Sequence, residues 1–459
     1  MKGNNGDFRS FLSLLQSEGE LVRVKQDVSA EFELAAVTAK LDGKQAVLFE
    51  KVRGSKIAVA CNVVGTPRRF YLAIAGDSRK VDQAAAADIK KAIHARITEA
   101  LGSLSPPSKV QGGVPFEKNS SRNLHDLPIV THFEKDAGPF ITSSVVFAKD
   151  QEKGNQNQST HRLLRLDDRH MAIRMVEGRH LHKCFTYARD HGEDLKVAIA
   201  IGVHPAVNIA AAYQAAYGVD EMLIANSLLG GRLVLAKTGY SQLYVPSHAE
   251  IVLEGRILKD RTHEEWMVEM LRTYDFKRKQ PVFELERIRF CDNAIYHDIL
   301  PGYAEHRLLM GLPVEAKMFD YVKNVVPTTQ AVHLTDGGSN WLAAVIQIKK
   351  RLEGEPKNAL MAAFSAHPSL KMATVVDDDI DPTDPVAVEY AIATRCQADR
   401  DLLIMPNTKG SSLDPSSDQA NLLTTKVGID ATASLLKSKE RFEIAKIPGE
   451  EKIKLADYL

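Results

Sequence analysis

The 459-residue chain carries little that could cross-link it. Its four cysteines, Cys61, Cys184, Cys291 and Cys396, are widely separated and form no CxxC pair. That argues against both a disulfide framework and a structural zinc site. An excess of either charge is also missing, since 59 lysines and arginines balance 59 aspartates and glutamates. Nucleic acid and membrane surfaces both select a basic excess, so neither is expected as a partner. No apolar run reaches the roughly 18 residues of a spanning helix. The opening MKGNNGDFRSFLSLLQSEGE lacks the small-residue cleavage site of a secretory signal, so a cytoplasmic location is expected. What is present is the composition of an ordinary globular protein, 44% hydrophobic and 26% charged, long enough for two or three separately packed domains.

The pattern along the chain divides it into three. Residues 1–110 read as an α/β region: Phe8, Phe11, Leu12, Leu14 and Leu15 recur at helical spacing, short strands follow in LVRVKQD, AVLFEKV and IAVACNVV, FELAAVTAKL is helical, and Val81 to Leu101 forms an Ala-rich helix. The break SLSPPSKVQGG closes this region. Residues 111–312 are mostly strand, in FITSSVVFAK, HRLLRLD, HMAIRMV, VAIAIGV, RLVLAKT, AEIVLEG and FELERIRF, with one helical insert over NIAAAYQAAYGVDEMLIANSLLG. Many short strands with few helices favour a closed or nearly closed β-barrel. Residues 313–459 alternate again: WLAAVIQIKKRL reads as an amphipathic helix, KMATVVDDDID as a buried strand, DPVAVEYAIATRC as a helix and MPNTKGSSLDPSSDQANLL as loop. The expected fold class is therefore a mixed α+β, α/β multidomain protein around a central barrel.

The middle region holds the residues with chemical potential. Asn157 and Arg162 stand five apart in NQSTHR, His180 and His182 alternate in GRHLHKC as they would on a strand, Glu221 closes YGVDE, and Glu264, Glu265 and Glu269 cluster in THEEWMVEM. Each has an ordinary structural explanation. An arginine at a strand start is usually solvated, and a histidine pair is more often one core and one surface residue than a metal site. Thr262 with Glu265 fits a helix capping box, and the Asp377, Asp378, Asp379 run fits acidic turn chemistry. Composition and spacing alone assign no enzyme class.

Taken in order, however, these phrases resemble the UbiD family of prenylated-flavin decarboxylases. Asn157 and Arg162, His180 some eighteen residues on, GVDE for a family phrase like GVSE, VPSHAEIVLEG for VPATSEMVFEG, VVDDDIDPTDPVAVEYAIATR and GSSLDPSS follow one another over most of the chain. The resemblance implies a split β-barrel that holds prenylated FMN in the middle domain, and a self-associating α/β domain at the carboxyl end, as a homodimer or homohexamer. It implies Mn²⁺ or Mg²⁺ on Asn157, His180 and Glu221, bridging to the flavin phosphate; oxygen ligands with one imidazole suit such ions. It further implies cofactor contacts from Thr160, His161 and Arg162, and K⁺ near the backbone of Ala211, Ala212 and Tyr213, where the family often has Ser and Met. A flavin prenyltransferase would supply the cofactor, and a small carboxylic acid would be the substrate. Arg162 would pair with two glutamates, one of which protonates the carbon that loses CO₂.

The family phrase EGPFGE is here EEWMVE, without Gly or Pro. Five-residue spacing selects Glu264 with Glu269, and counting from LEG selects Glu265 instead. If the segment were a helix, Glu265 and Glu269 would share a face. The expectation is Glu269 first, Glu264 second, Glu265 in reserve. NAIYHDILPGYAEHRLLMGLPVEAK resembles a branch found in archaea and anaerobes, whose members take aromatic or heteroaromatic acids or anhydromevalonate phosphate. Tyr296, His297 and His306 are its expected substrate-side residues, with a buried structural histidine pair as the alternative, and an unpaired cation near the pocket would favour the phosphorylated acid. The reaction is reversible in principle. From other classes, a flavin reductase and a non-catalytic FMN-binding protein remain open.

Overall fold

The computed structural model of the chain describes residues 6–75, 86–213, 219–445 and 447–458. At its centre, six strands pair antiparallel in the spatial order Ile251–Glu265, Leu195–Ile201, Phe140–Lys149, Gln156–Arg165, His170–Ile173, Arg278–Phe290. The ring closes because Ile251–Glu265 also pairs with Arg278–Phe290, which leaves no free edge in the barrel. The two closing strands bulge where the register shifts between Glu254 and Gly255. A Cβ at Gly255 would stand 2.1 Å from the Glu284 carbonyl oxygen, so the close strand approach there requires glycine.

The amino-terminal region packs on this barrel in one continuous apolar core. Its first helix, Phe8–Ser17, buries Phe8, Phe11, Leu12 and Leu15, and the Asp7 carboxylate caps it by accepting from the Ser10 backbone N–H. The strands Leu21–Val28, Ala46–Val52 and Ala58–Cys61 form a small sheet, completed by Ile295–Asp298, which arrives from beyond the barrel and pairs in parallel with Ala58–Cys61. The chain therefore crosses back, and the first two regions are stitched together rather than consecutive. Helix Ala86–Gly102 accounts for most of the expected Ala-rich helix; residues 81–85 lie outside the described residues.

Helix Ala304–Val325 leads into the carboxyl-terminal part, so the boundary drawn at 312/313 falls inside a continuous helix. Beyond it, a five-stranded mixed sheet runs in the order Thr329–Leu334, Ala343–Ile348, Met372–Asp377, Leu423–Ala431, Leu402–Lys409 over a second apolar core. Four local expectations are corrected. The core of WLAAVIQIKKRL is the strand Ala343–Ile348, because a short apolar run flanked by two hydrogen-bonding neighbours is a buried strand. MPNTK belongs to the strand Leu402–Lys409. His180 opens the helix His180–Asp190 rather than lying on a strand. The single helical insert is two helices, Pro205–Ala212 and Glu221–Leu228, with residues 214–218 outside the described residues.

Candidate active site

Arg162 projects from the barrel strand Gln156–Arg165 into a cluster of carboxylates. Its Nε and Nη2 donate to both oxygens of Glu265 at 3.0 and 2.9 Å, Nη2 also reaches Asp275 at 3.2 Å, and Nη1 contacts Glu269. This planar fork is the geometry in which arginine binds carboxylates most strongly. Burial opposes its charge, but Glu269 and Glu265 prevail and hold the guanidinium firmly protonated. Asp275 is itself buried, yet its hydrogen bond from Arg278 (3.0 Å) and the Arg162 charge keep its carboxyl below the usual range. Arg174 stands 4.0 Å from Glu265. Three arginines thus face three carboxylates, an assembly balanced when all are ionised.

The structure brings Glu265, and not Glu264, to Arg162. The strand Ile251–Glu265 continues to Glu265, so neighbouring side chains point to opposite faces: Glu265 is fully buried and Glu264 is exposed beside its cross-strand neighbour Lys279. Glu269 follows in a tight loop closed by a bridge between Val268 and Tyr274. That loop rests on Gly302, whose φ is +75° and where a Cβ would lie 2.9 Å from the Glu269 carbonyl oxygen. The Gly302 N–H donates to His306 Nδ1 at 3.1 Å, which leaves the proton of the neutral ring on Nε2. Burial lowers the His306 pKa against the pull of Glu269, so this ring stays neutral beside the cluster.

The other two expected substrate residues, His297 and Tyr296, are both fully buried. His297 is buried against Glu305 (Nε2–Oε1 3.2 Å) and tilted over Phe8, a structural setting. Tyr296 is fully buried in the core; its hydroxyl finds no protein partner, and burial raises its pKa well above the ordinary value.

Five residues up the strand from Arg162, Asn157 meets the other two expected metal ligands. Its Nδ2 is 3.3 Å from His180 Nδ1 and 3.4 Å from Glu221 Oε1, and His180 and Glu221 are 3.6 Å apart. The amide presents its NH₂ to the imidazole and the carboxylate, and a half-turn of the amide plane would bring its oxygen, the atom able to ligate a cation, to the same place. No cluster of three His, Cys, Asp or Glu side chains suited to a metal exists among the described residues, and this group has two such side chains and an amide. Strand rise separates Asn157 from Arg162 by about 17 Å along Gln156–Arg165. On the same strand the buried Thr160 hydroxyl has no partner in the protein, as expected of a group that receives a polar ligand. His161 does not offer its ring: Nδ1 donates to the Arg174 carbonyl at 2.7 Å, Nε2 meets Ser159 Oγ at 2.8 Å, and burial brings its pKa down to about 4. Ala211 and Ala212 end the helix Pro205–Ala212 and Tyr213 caps it, so their carbonyls lie at the negative helix pole.

A family model described as the 3-octaprenyl-4-hydroxybenzoate carboxy-lyase Rift-related domain matches residues 105–304, and those of the same enzyme's N-terminal and C-terminal domains match residues 12–88 and 307–431. The chain belongs to the UbiD family. Among its UbiD relatives, the anhydromevalonate phosphate decarboxylase of Methanothermobacter thermautotrophicus is 41% identical over 95% of this chain and 98% of that protein. The enzyme of the same name from Methanocaldococcus jannaschii is 49% identical over 71% and 76%. The UbiD-class enzyme HmfF from Pelotomaculum thermopropionicum, solved in complex with FMN, superposes with a TM-score of 0.93 at 39% identity over 99% of this chain and 100% of that one. An evolved dimeric HmfF in complex with prFMN superposes at 0.89 with 36% identity, covering 99% and 100%. The UbiD fold expected from the sequence is the one observed, and the chain is a UbiD-family carboxy-lyase.

Asp275, Arg278 and Arg174 were not singled out by the UbiD resemblance. Asp275 and Arg278 lie within TYDFKRK, and only the strand that follows, Arg278–Phe290, turns them towards Arg162. A cation and an acid at three-residue spacing beside the glutamate phrase were the available signal.

Proposed function

We propose that this chain decarboxylates anhydromevalonate phosphate, a phosphorylated α,β-unsaturated acid, with prenylated FMN as cofactor. Two observations support the substrate and cofactor: the relatives of that name cover nearly the whole chain at 38–41% identity, and the orphaned Thr160 hydroxyl lies between Asn157 and Arg162 on their strand. In this reading Asn157, His180 and Glu221 would hold Mn²⁺ or Mg²⁺ to offset the cofactor's phosphate charge, and the carbonyls around Ala211 to Tyr213 would hold K⁺. When bound, the prenylated flavin supplies an electron sink for the pair left behind by CO₂.

The balanced charges around Arg162 carry the mechanism. A substrate carboxylate adds one negative charge to the cluster, and the simplest compensation is one proton. Glu265 is fully buried and held by two contacts, and Asp275 is 2% exposed between two arginines. Glu269 has a single contact with Arg162, accepts from the Met270 N–H at 3.2 Å and is 20% exposed, the most accessible of the three, so it is the one placed to turn to the substrate and deliver a proton. Arg162 orients the substrate carboxylate, Glu265 and Asp275 fix Arg162, and Glu269 delivers the proton that replaces CO₂. His306, neutral with Nε2–H free to donate, steadies the substrate beside Glu269. The carboxyl-terminal α/β part mediates assembly into a homodimer or homohexamer, and a flavin prenyltransferase supplies the cofactor.

The test is turnover of the phosphorylated acid by protein produced alongside a flavin prenyltransferase. Arg162→Ala and Glu269→Gln should abolish CO₂ release while the flavin absorbance persists. Full activity in either variant overturns the mechanism, and turnover of aromatic acids in place of the phosphorylated one overturns the substrate.

A further inference from the structure

A cavity of 430 Å³ opens where helix Ala86–Gly102, helix Ala304–Val325 and the strand Thr329–Leu334 meet. It shares no residue with the Arg162 cluster or the Asn157 triad. Its walls are mainly apolar, from Ala95, Phe319 and Val332, and its cations are Lys90, Lys91 and Lys323. Such a volume suits a small-molecule ligand, and apolar walls with a few placed charges are the usual make-up of a ligand site.

The charges are unevenly satisfied. Behind the cavity, Glu315 is 1% exposed and accepts from the Leu334 N–H (2.7 Å), with His94 Nε2 at 3.1 Å and both Lys90 Nζ and His333 Nδ1 at 3.4 Å. Burial opposes its charge, but Lys90 and the histidines hold its carboxyl well below the ordinary value. Glu315 is thus saturated, and Lys90 is taken up by Glu315 and by His333 Nδ1, 2.6 Å from its Nζ. Lys91 and Lys323 are exposed and have no ion-pair partner among the described residues; Lys323 Nζ lies 5.1 Å above the Phe319 ring. Asp320 is the one acidic side chain among the described lining residues. Three lysines therefore outnumber the two carboxylates, and the surplus lies at the rim of an apolar hollow.

We propose that this cavity is an effector site for a small amphipathic organic anion, with its aliphatic body against Ala95, Phe319 and Val332 and its phosphate or carboxylate head between Lys91 and Lys323. The walls belong to the amino-terminal helix, the connecting helix and the carboxyl-terminal sheet, so an occupant ties these elements together and raises the melting temperature of the full chain. This inference stands independently of the proposed reaction.

Calorimetric titration of the full chain with 3-methylbutyl phosphate and with hexanoate tests it and separates the two head groups, with inorganic phosphate as the head-only control. One saturable site is expected for at least one amphiphile, tighter than for inorganic phosphate. The paired substitution Lys91→Ala and Lys323→Ala should weaken it about tenfold or more. Ala95→Trp, which fills the hollow, should remove it. Decarboxylation without ligand should be unchanged in both variants. Absence of binding at millimolar concentration, equal binding in the variants, or competition with FMN would each overturn the proposal.

Discussion

Replacing Glu265 by glutamine is the sharpest probe of the cluster around Arg162. The glutamine keeps the shape of the side chain but turns an amide NH₂ towards a guanidinium that now holds two N–H groups at 3.0 and 2.9 Å from carboxylate oxygens. A donor then faces a donor at a position with no solvent access. Removing one partner of a buried ion pair costs about 3–5 kcal/mol; with Glu269 and Asp275 still bound to Arg162, about 2–4 kcal/mol is the reasonable share. If that loss falls on the transition state, kcat/KM drops roughly 30- to 1000-fold. The matched control is Glu264→Gln, an exposed residue one position earlier, for which a change within about twofold is expected. The assay is CO₂ release per bound cofactor, with occupancy fixed by flavin absorbance. A severe defect in Glu264→Gln with a silent Glu265→Gln would refute the strand register and the roles derived from it.

Gly302→Ala should leave cofactor binding intact and lower kcat, because its Cβ would press on the Glu269 carbonyl from a left-handed backbone; the kcat and KM of the purified variant decide this. Glu221→Gln should remove a full charge from the Asn157, His180 and Glu221 group; if that group holds a divalent ion against the cofactor as proposed, both ion and flavin are lost, read by elemental analysis and absorbance. Burial lowers the pKa of His204 to about 3 and of His367 to about 4, against 6.5 when unfolded. Between those values the unfolded chain binds more protons, so stability is full above pH 6.5 and falls as pH drops towards 4, by about 1.4 kcal/mol per pH unit for each histidine. His367→Gln should make the denaturation midpoint less sensitive to acid over that window; an unchanged slope would contradict the burial argument.

The barrel was legible because its strands alternate apolar and polar residues over short, regularly spaced segments, as in FITSSVVFAK and HMAIRMV. Asn157 and Arg162 were legible as a pair because one strand carries both. The choice between Glu264 and Glu265 was not, since it depends on where the strand Ile251–Glu265 ends, and pairing with Arg278–Phe290 sets that end. The same kind of long-range pairing turns WLAAVIQIKKRL from a helical pattern into the strand Ala343–Ile348. Pairing of Ile295–Asp298 with Ala58–Cys61 buries Tyr296 in the core, while His306, on the following helix, returns to the active centre. Asp275, in a loop, and Arg278, at the first position of the strand Arg278–Phe290, gave no periodic signal that would single them out.

The central claim is that Arg162 and Glu269 carry out proton-for-CO₂ exchange on a phosphorylated unsaturated acid. Its most direct test is anhydromevalonate phosphate in D₂O with cofactor-loaded protein, followed by mass spectrometry of the product. The account predicts loss of CO₂ with one deuterium at the carbon that bore it, and neither event in Glu269→Gln. Product lacking deuterium, or an unchanged rate in Glu269→Gln, would contradict it.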